Sequence, residues 1–148
     1  MPLVEVRAVA VEVVRPMRLA VLRPDQTIEQ MVWLHDDDPE ARHFGAFQDD
    51  ILGGIATIYP YIMPERPELP GAWQLRGMAT IPDVRGKGLG AKLVEQCAEH
   101  VRSRNGLLLW CNARCYALGF YEKLGFETIG DEFEFPVTGP HMRMYRRL

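Results

Sequence analysis

A chain of 148 residues, 47% hydrophobic and 25% charged, has the length and balance of one folded domain with its own core, 1–148. A formal net charge of -3 argues against a nucleic-acid partner, and no apolar run approaches the ~20 residues of a membrane span. Cys97, Cys111 and Cys115 are odd in number and lack CxxC spacing, which predicts reduced thiols and a cytoplasmic setting, and the N-terminus does not read as a signal peptide.

Leu3 to Val9 alternates apolar and polar residues and predicts a first strand. Ala10 to Leu22 has helical character with a kink or a start at Pro16, and Arg23-Pro24-Asp25 ends it. Thr27 is placed to cap a short helix over Ile28 to Trp33, with Gln30 completing a capping box. His35-Asp36-Asp37-Asp38-Pro39 reads as a solvated turn rather than a metal site, because Asp and Pro clusters are ordinary turn chemistry. Arg42 to Gln48 and Ile51 to Tyr59 predict two strands joined at Asp49-Asp50, with Gly53-Gly54 marking a bulge or a close backbone approach. Pro60 to Gly71 is a proline-rich loop, and Trp73 to Thr80 a strand that Pro82-Asp83 stops.

From Leu89 the apolar residues Leu89, Leu93, Val94, Cys97, Ala98 and Val101 fall on one helical face, and Asn105-Gly106 closes that helix. Leu107 to Cys111 is a continuous apolar run, as in a strand buried on both faces. Arg114 to Leu124 predicts a helix with Gly125 at C′ and Phe126 folding back onto Phe120. Glu127 to Phe135 and His141 to Arg147 read as a closing antiparallel pair.

Between the 73–80 strand and the 89–104 helix lies a loop with Gly86, Gly88 and Gly90, flanked by Arg85 and Lys87. Glycine-rich backbone leading into a helix start, with its unpaired N–H groups and positive dipole end, makes an anion cradle. The P-loop pattern fails, since position 81 is isoleucine and position 88 is glycine. The dinucleotide fingerprint fits only loosely, through Gly86, Gly88 and Ala91, with no convincing ribose acid after it.

What fits is R-x-x-G-x-G/A at Arg85, Gly88 and Gly90, which resembles the pyrophosphate loop of the GNAT superfamily of N-acetyltransferases. Asn112-Ala113-Arg114 followed by Gly119-Phe120-Tyr121-Glu122-Lys123-Leu124-Gly125-Phe126 is similar to the second signature of that superfamily. The two motifs cover residues 73 to 126. The tail Gly139-Pro140-His141-Met142-Arg143-Met144-Tyr145 resembles a bacterial subset of small members. The resemblance implies an α/β (α+β) fold, a mixed central sheet of about 6–7 strands flanked by about 4 helices, with the fourth and fifth strands splayed.

It also implies acetyl-CoA as acyl donor, no metal, and a primary amine as acceptor, whether a small molecule, an amino acid or a peptide N-terminus. Nucleic acid and membrane are not expected as partners, and a homodimer stays open. Carried over from the family, the backbone of Met78, Ala79 and Thr80 would pair with pantetheine, an N–H near Met78 would face the thioester oxygen, and Arg85, Gly86, Lys87, Gly88, Leu89, Gly90 and Ala91 would hold the pyrophosphate. Tyr121 is the candidate general acid, since a phenol near ~10 stays protonated beside a thiol near ~8.5; the alternative is core packing with Phe120 and Phe126. Asn112 is either a ligand contact or a helix cap. The general base is open among His43, His141, Glu68 and water. Arg76 reads as a carboxylate-binding group for the acceptor or as a salt-bridge partner. The loops around 24–42 and 60–72, with Trp33 and Trp73 near them, are expected to shape the acceptor pocket. The competing function is a non-catalytic acyl-CoA sensor or interaction module on the same fold.

Overall fold

The computed structural model describes residues 3–82 and 88–148. Hydrogen bonding orders seven strands as β1-β2-β3-β4-β5-β7-β6, where β1 is Val4–Val9, β2 Arg42–Gln48, β3 Ile51–Pro60, β4 Ala72–Thr80, β5 Leu108–Arg114, β6 Glu127–Phe135 and β7 Gly139–Arg147. The sheet is mixed: β4 and β5 run parallel, while β1–β2, β2–β3, β5–β7 and β6–β7 are antiparallel. Three α-helices occur among the described residues, α1 (Val11–Met17), α2 (Leu89–Ser103) and α3 (Leu118–Lys123), one fewer than the sequence pattern suggests. The chain divides into two compact units, Met1–Tyr59 with Arg76–Glu99 and Pro60–Leu75 with His100–Leu148.

In the first unit, α1 holds Pro16 in its interior. Proline has no N–H to return to the preceding turn, and the chain then widens into a π-helical turn over Arg18–Leu22, closed by Arg23 N–H donating to Arg18 O at 3.0 Å. The capping box at Thr27 forms, its N–H donating to Gln30 Oε1 at 2.8 Å, but the 3₁₀ turn it starts ends at Met31. At the β2–β3 hairpin both Asp49 (φ 50) and Asp50 (φ 68) are left-handed, the two-residue turn whose twist suits a hairpin. The bulge expected at the glycine pair is present: Ala46 pairs with Gly54 and Phe47 with Leu52, so Gly53 is the extra residue. Its carbonyl accepts from Ile81 N–H at 2.9 Å. Gly54 also permits a close approach, because a Cβ there would stand 2.9 Å from Leu93 Cδ1 and 3.2 Å from Ala79 O. Val14, Met17, Ile55 and Ala79 form a core cluster of this unit.

In the second unit, Met63, Ala72, Leu108 and Trp110 form another cluster. Leu108, Leu109, Trp110 and Cys111 are all buried, as the unbroken apolar run predicts, and burial pushes the Cys111 thiol well above its usual range. Strand β5 continues three residues past Cys111, because Asn112, Ala113 and Arg114 find partners in Arg143, Met142 and His141 of β7. Helix α2, which belongs to the first unit as far as Glu99, buries all six residues of the expected face; it ends at the left-handed Asn105 (φ 62), with Gly106 N–H donating to Val101 O at 2.8 Å. The segment after β5 begins as a 3₁₀ turn, Cys115–Ala117, before α3. Helix α3 closes in a Schellman arrangement: Gly125 (φ 88) donates to Glu122 O at 3.0 Å and Phe126 to Tyr121 O at 3.1 Å. The ring that Phe126 meets is Tyr121, at 5.3 Å between centroids, rather than the expected Phe120.

Candidate active site

The parallel register of β4 with β5 covers four residue pairs, from Ala72↔Leu108 to Leu75↔Cys111, and ends there. Strand β4 nevertheless continues to Thr80, five residues beyond the end of that register. The turning point is Gly77, whose φ of +66 is left-handed and interrupts the pleat. A side chain is excluded there as well, since a Cβ would lie 2.8 Å from Trp33 Cζ3. Beyond it, Met78 and Thr80 are half-buried and Ala79 is buried.

Arg85, Gly86 and Lys87, three residues of the expected anion cradle, lie outside the described residues. Its second half is described. Gly88 has φ +81, and a Cβ there would meet no described atom within 4 Å. Lys92 N–H donates to Gly88 O at 3.1 Å, which makes Leu89, Gly90 and Ala91 the turn whose amides an α-helix leaves without internal partners. The first turn of α2 carries no acidic side chain to use that positive end.

The first unit holds a buried polar network that no sequence motif marks. Arg18 is fully buried and grips Asp36 with both ends of its fork, Nη1 to Oδ2 at 2.8 Å and Nη2 to Oδ1 at 2.9 Å. It also donates to Met31 O and Thr57 Oγ1, each at 2.9 Å, while its Nε is buried without a hydrogen-bond partner. Asp36 is therefore a buried ionic residue, which corrects its reading as part of a solvated turn. It fixes the Trp33 backbone too, accepting from Trp33 N–H at 2.9 Å. Burial alone would raise the Asp36 carboxyl, but the hydrogen bonds from Arg18 and Trp33 N–H and the charges of Arg18 and His43 outweigh it and hold it below its usual value. The sequence signal was Arg18 itself, four residues after Val14 on the buried side of the helix.

The three side chains named as candidate bases have different surroundings. His43 is buried, with Nδ1 2.8 Å from Thr57 Oγ1 and the ring also hydrogen-bonded to the Asp36 backbone. Thr57 Oγ1 accepts from Arg18 Nη2, so the hydroxyl proton is available to the ring. Burial pushes the imidazole below its usual value, with Asp36 opposing and Arg18 reinforcing the change. Glu68 is exposed and lies 2.5 Å from Arg66 Nε, whose hydrogen bond lowers its carboxyl. His141 is buried in the second unit between Phe133 and Phe135, and its Nδ1 lies 2.8 Å from Gly139 O. A carbonyl only accepts, so Nδ1 carries the proton and Nε2 remains the accepting nitrogen.

Asn112 sits inside β5, so it is not a helix cap; its Oδ1 accepts from Arg143 Nη1. Arg143 is further held by Glu65 Oε1 at 2.8 Å. With its carbonyl end occupied, the Asn112 amide presents N–H donors. Tyr121 is buried in α3, its ring edge-on to Phe120 (5.0 Å) and Phe126 (5.3 Å). Arg76 lays its guanidinium 4.3 Å from the Trp33 ring. Among the described residues no group of three or more His, Cys, Asp or Glu stands together as a metal site.

The description "Acetyltransferase (GNAT) family" belongs to the family model that matches residues 12–126. The chain is also 37% identical over 147 residues to the uncharacterized N-acetyltransferase YitI of Bacillus subtilis (strain 168), covering 99% of this chain and 97% of that protein. The chain belongs to the GNAT family. Solved structures share the GNAT fold at low identity. The ribosomal-protein-S18-alanine N-acetyltransferase from Escherichia coli superposes with a TM-score of 0.76 at 15% identity, covering 98% of this chain and 94% of that one. The IAA acetyltransferase from Bacillus cereus ATCC 14579 does so at 0.73 and 16%, covering 99% and 100%. The β4–β5 register that ends at Leu75, the left-handed Gly77 and the glycine-led start of α2 are features of this chain's GNAT domain.

Proposed function

We propose that this GNAT chain transfers the acetyl group of acetyl-CoA to a primary amine by direct attack of the neutral amine on the thioester. The observation that carries the reading is the end of the β4–β5 register at Leu75, with β4 continuing as Met78, Ala79 and Thr80. A strand segment released from its neighbour offers backbone donors and acceptors to an extended ligand, and the amides of pantetheine suit that role. The start of α2 fits the diphosphate: it offers backbone N–H groups, no described atom within 4 Å of a Cβ at Gly88, and no acidic side chain in its first turn. Arg85 and Lys87 would add charge there.

In this mechanism Met78 N–H donates to the thioester carbonyl oxygen, where negative charge grows. Tyr121 donates its phenolic proton to the departing sulfur, and the Asn112 amide donates to the donor chain. Of the side chains considered as base, His141 is the best suited, through Nε2 or a water, because His43 is consumed by its network and Glu68 is weakened by Arg66. The test is release of free CoA from acetyl-CoA across a panel of amines. Turnover with at least one amine is expected. Tight acetyl-CoA binding without turnover on any amine would favour a non-catalytic acyl-CoA sensor.

A further inference from the structure

Trp33 carries a guanidinium on its ring at two places, with Arg18 Cζ at 3.9 Å and Arg76 Cζ at 4.3 Å, while Arg23 Cζ stands further off at 5.9 Å. The two near cations differ in state. Arg18 is buried and spends its fork on Asp36, Met31 and Thr57. Arg76 is half-buried, and no hydrogen bond or ion pair ties its guanidinium to another described residue. Among the described residues of this cluster, Arg15, Arg18 and Arg76 stand with one carboxylate, Asp36. Asp36 is shared by Arg18 and by Arg15, whose Nη2 lies 3.5 Å away, so no charge of Asp36 is left over for Arg76.

Resting on the acetyl-transfer reading above, we propose that Arg76 on its Trp33 platform receives a carboxylate of the acceptor, so that the acceptor is an amine that also carries a carboxylate, as a free amino acid does. A guanidinium held over an aromatic ring by cation–π attraction spends no N–H on that contact, and its N–H groups can meet a carboxylate with two parallel hydrogen bonds. The platform is set in advance. Trp33 rests against the bare backbone of Gly77, and its own backbone is locked by Asp36, so little ordering is left for binding to supply. Arg76 also lies two residues before Met78 in β4, which spaces the two backbones by about 7 Å at most. That is the scale of a small amino acid. A polyamine, by contrast, would bring further positive charge to a cluster already in excess.

The test compares glycine, alanine, glutamate and phenylalanine with their carboxamides, and with spermidine, as acceptors for the wild type and Arg76→Gln. Calorimetry of N-acetylalanine against N-acetylalaninamide adds a readout that needs no turnover. The wild type is expected to prefer acids over amides in kcat/KM. Arg76→Gln should lower that preference by roughly 10- to 100-fold, the effect of a lost charge-assisted pair, mainly through KM. Arg76→Lys should rescue it only in part, and acetyl-CoA affinity should hold. Equal use of acids and amides by the wild type, or a best acceptor that is spermidine, overturns the carboxylate assignment and leaves acetyl transfer standing. Arg76-dependent binding of N-acetylalanine with no amine ever turned over supports the assignment and overturns acetyl transfer. Failure of N-acetylalanine to bind better than its amide, with no acid preferred in turnover, overturns the assignment.

Discussion

Replacing Asp36 by Asn tests whether the buried Arg18–Asp36 pair organises the first unit. Arg18 has no exposure, and Asp36 Oδ2 serves both Arg18 Nη1 (2.8 Å) and Trp33 N–H (2.9 Å), while Oδ1 serves Arg18 Nη2 (2.9 Å). An amide can satisfy one side only. Either its NH2 faces the Trp33 amide and Arg18 Nη1, or it faces Arg18 Nη2, and in both orientations a buried cation loses its counter-charge. Removing one member of such a pair costs about 3–5 kcal/mol. At roughly 2–4 °C per kcal/mol for a chain of this size, Tm should fall by roughly 6–20 °C. Thermal melts and urea titrations at pH 7 would measure it. The double substitution Arg18→Met with Asp36→Leu should recover part of the loss, because an uncharged core leaves no orphaned ion. An Asp36→Asn protein that melts within a degree or two of wild type would refute the reasoning.

Two further predictions concern the same unit. Because His43 is held below the usual histidine value of about 6.5, the unfolded chain binds the proton more readily; the stability this gives is complete above that value and is lost as pH falls below it. His43→Gln should therefore flatten the fall of Tm between pH 7 and 5 relative to wild type, and parallel curves would remove His43 from the acid sensitivity. Gly88→Val adds a side chain into the open approach at the start of α2 and strains a φ of +81. A folded variant should bind acetyl-CoA at least ~10-fold more weakly by calorimetry, since a β-branched side chain both blocks backbone approach and resists that conformation. Unchanged affinity would remove the helix start from the donor site.

Much of the architecture is legible in residue patterns because it is local. Apolar spacing gives the face of α2, paired aspartates give the β2–β3 turn, the Gly53-Gly54 pair gives the bulge, and Gly125 gives the end of α3. What the patterns miss is set by partners distant in sequence. Asp36 looks like turn chemistry beside Pro39, and only Arg18, eighteen positions earlier, makes it a buried ion. Asn112 looks like a cap because the apolar run stops at Cys111, yet β7 extends the strand beneath it to Arg114. The π-helical turn after Pro16 follows from backbone bonding that composition does not encode. The two signatures pointed to the GNAT family, and the family match bears that out. The network around Trp33 belongs to no signature, and only folding brings loop 24–42 against β4.

The reaction itself is tested most directly at Tyr121. Tyr121→Phe keeps a ring of nearly the same shape between Phe120 and Phe126, so Tm and acetyl-CoA affinity should stay close to wild type, with at most one hydrogen bond lost, about 1 kcal/mol. If the phenol delivers the proton to the leaving sulfur, kcat should fall by about 10²–10⁴ under conditions where chemistry limits the rate. Measuring kcat with any accepted amine, alongside Tm and acetyl-CoA affinity on the same preparation, separates a proton donor from a packing residue. A variant with wild-type kcat would contradict the account and leave solvent as the proton source.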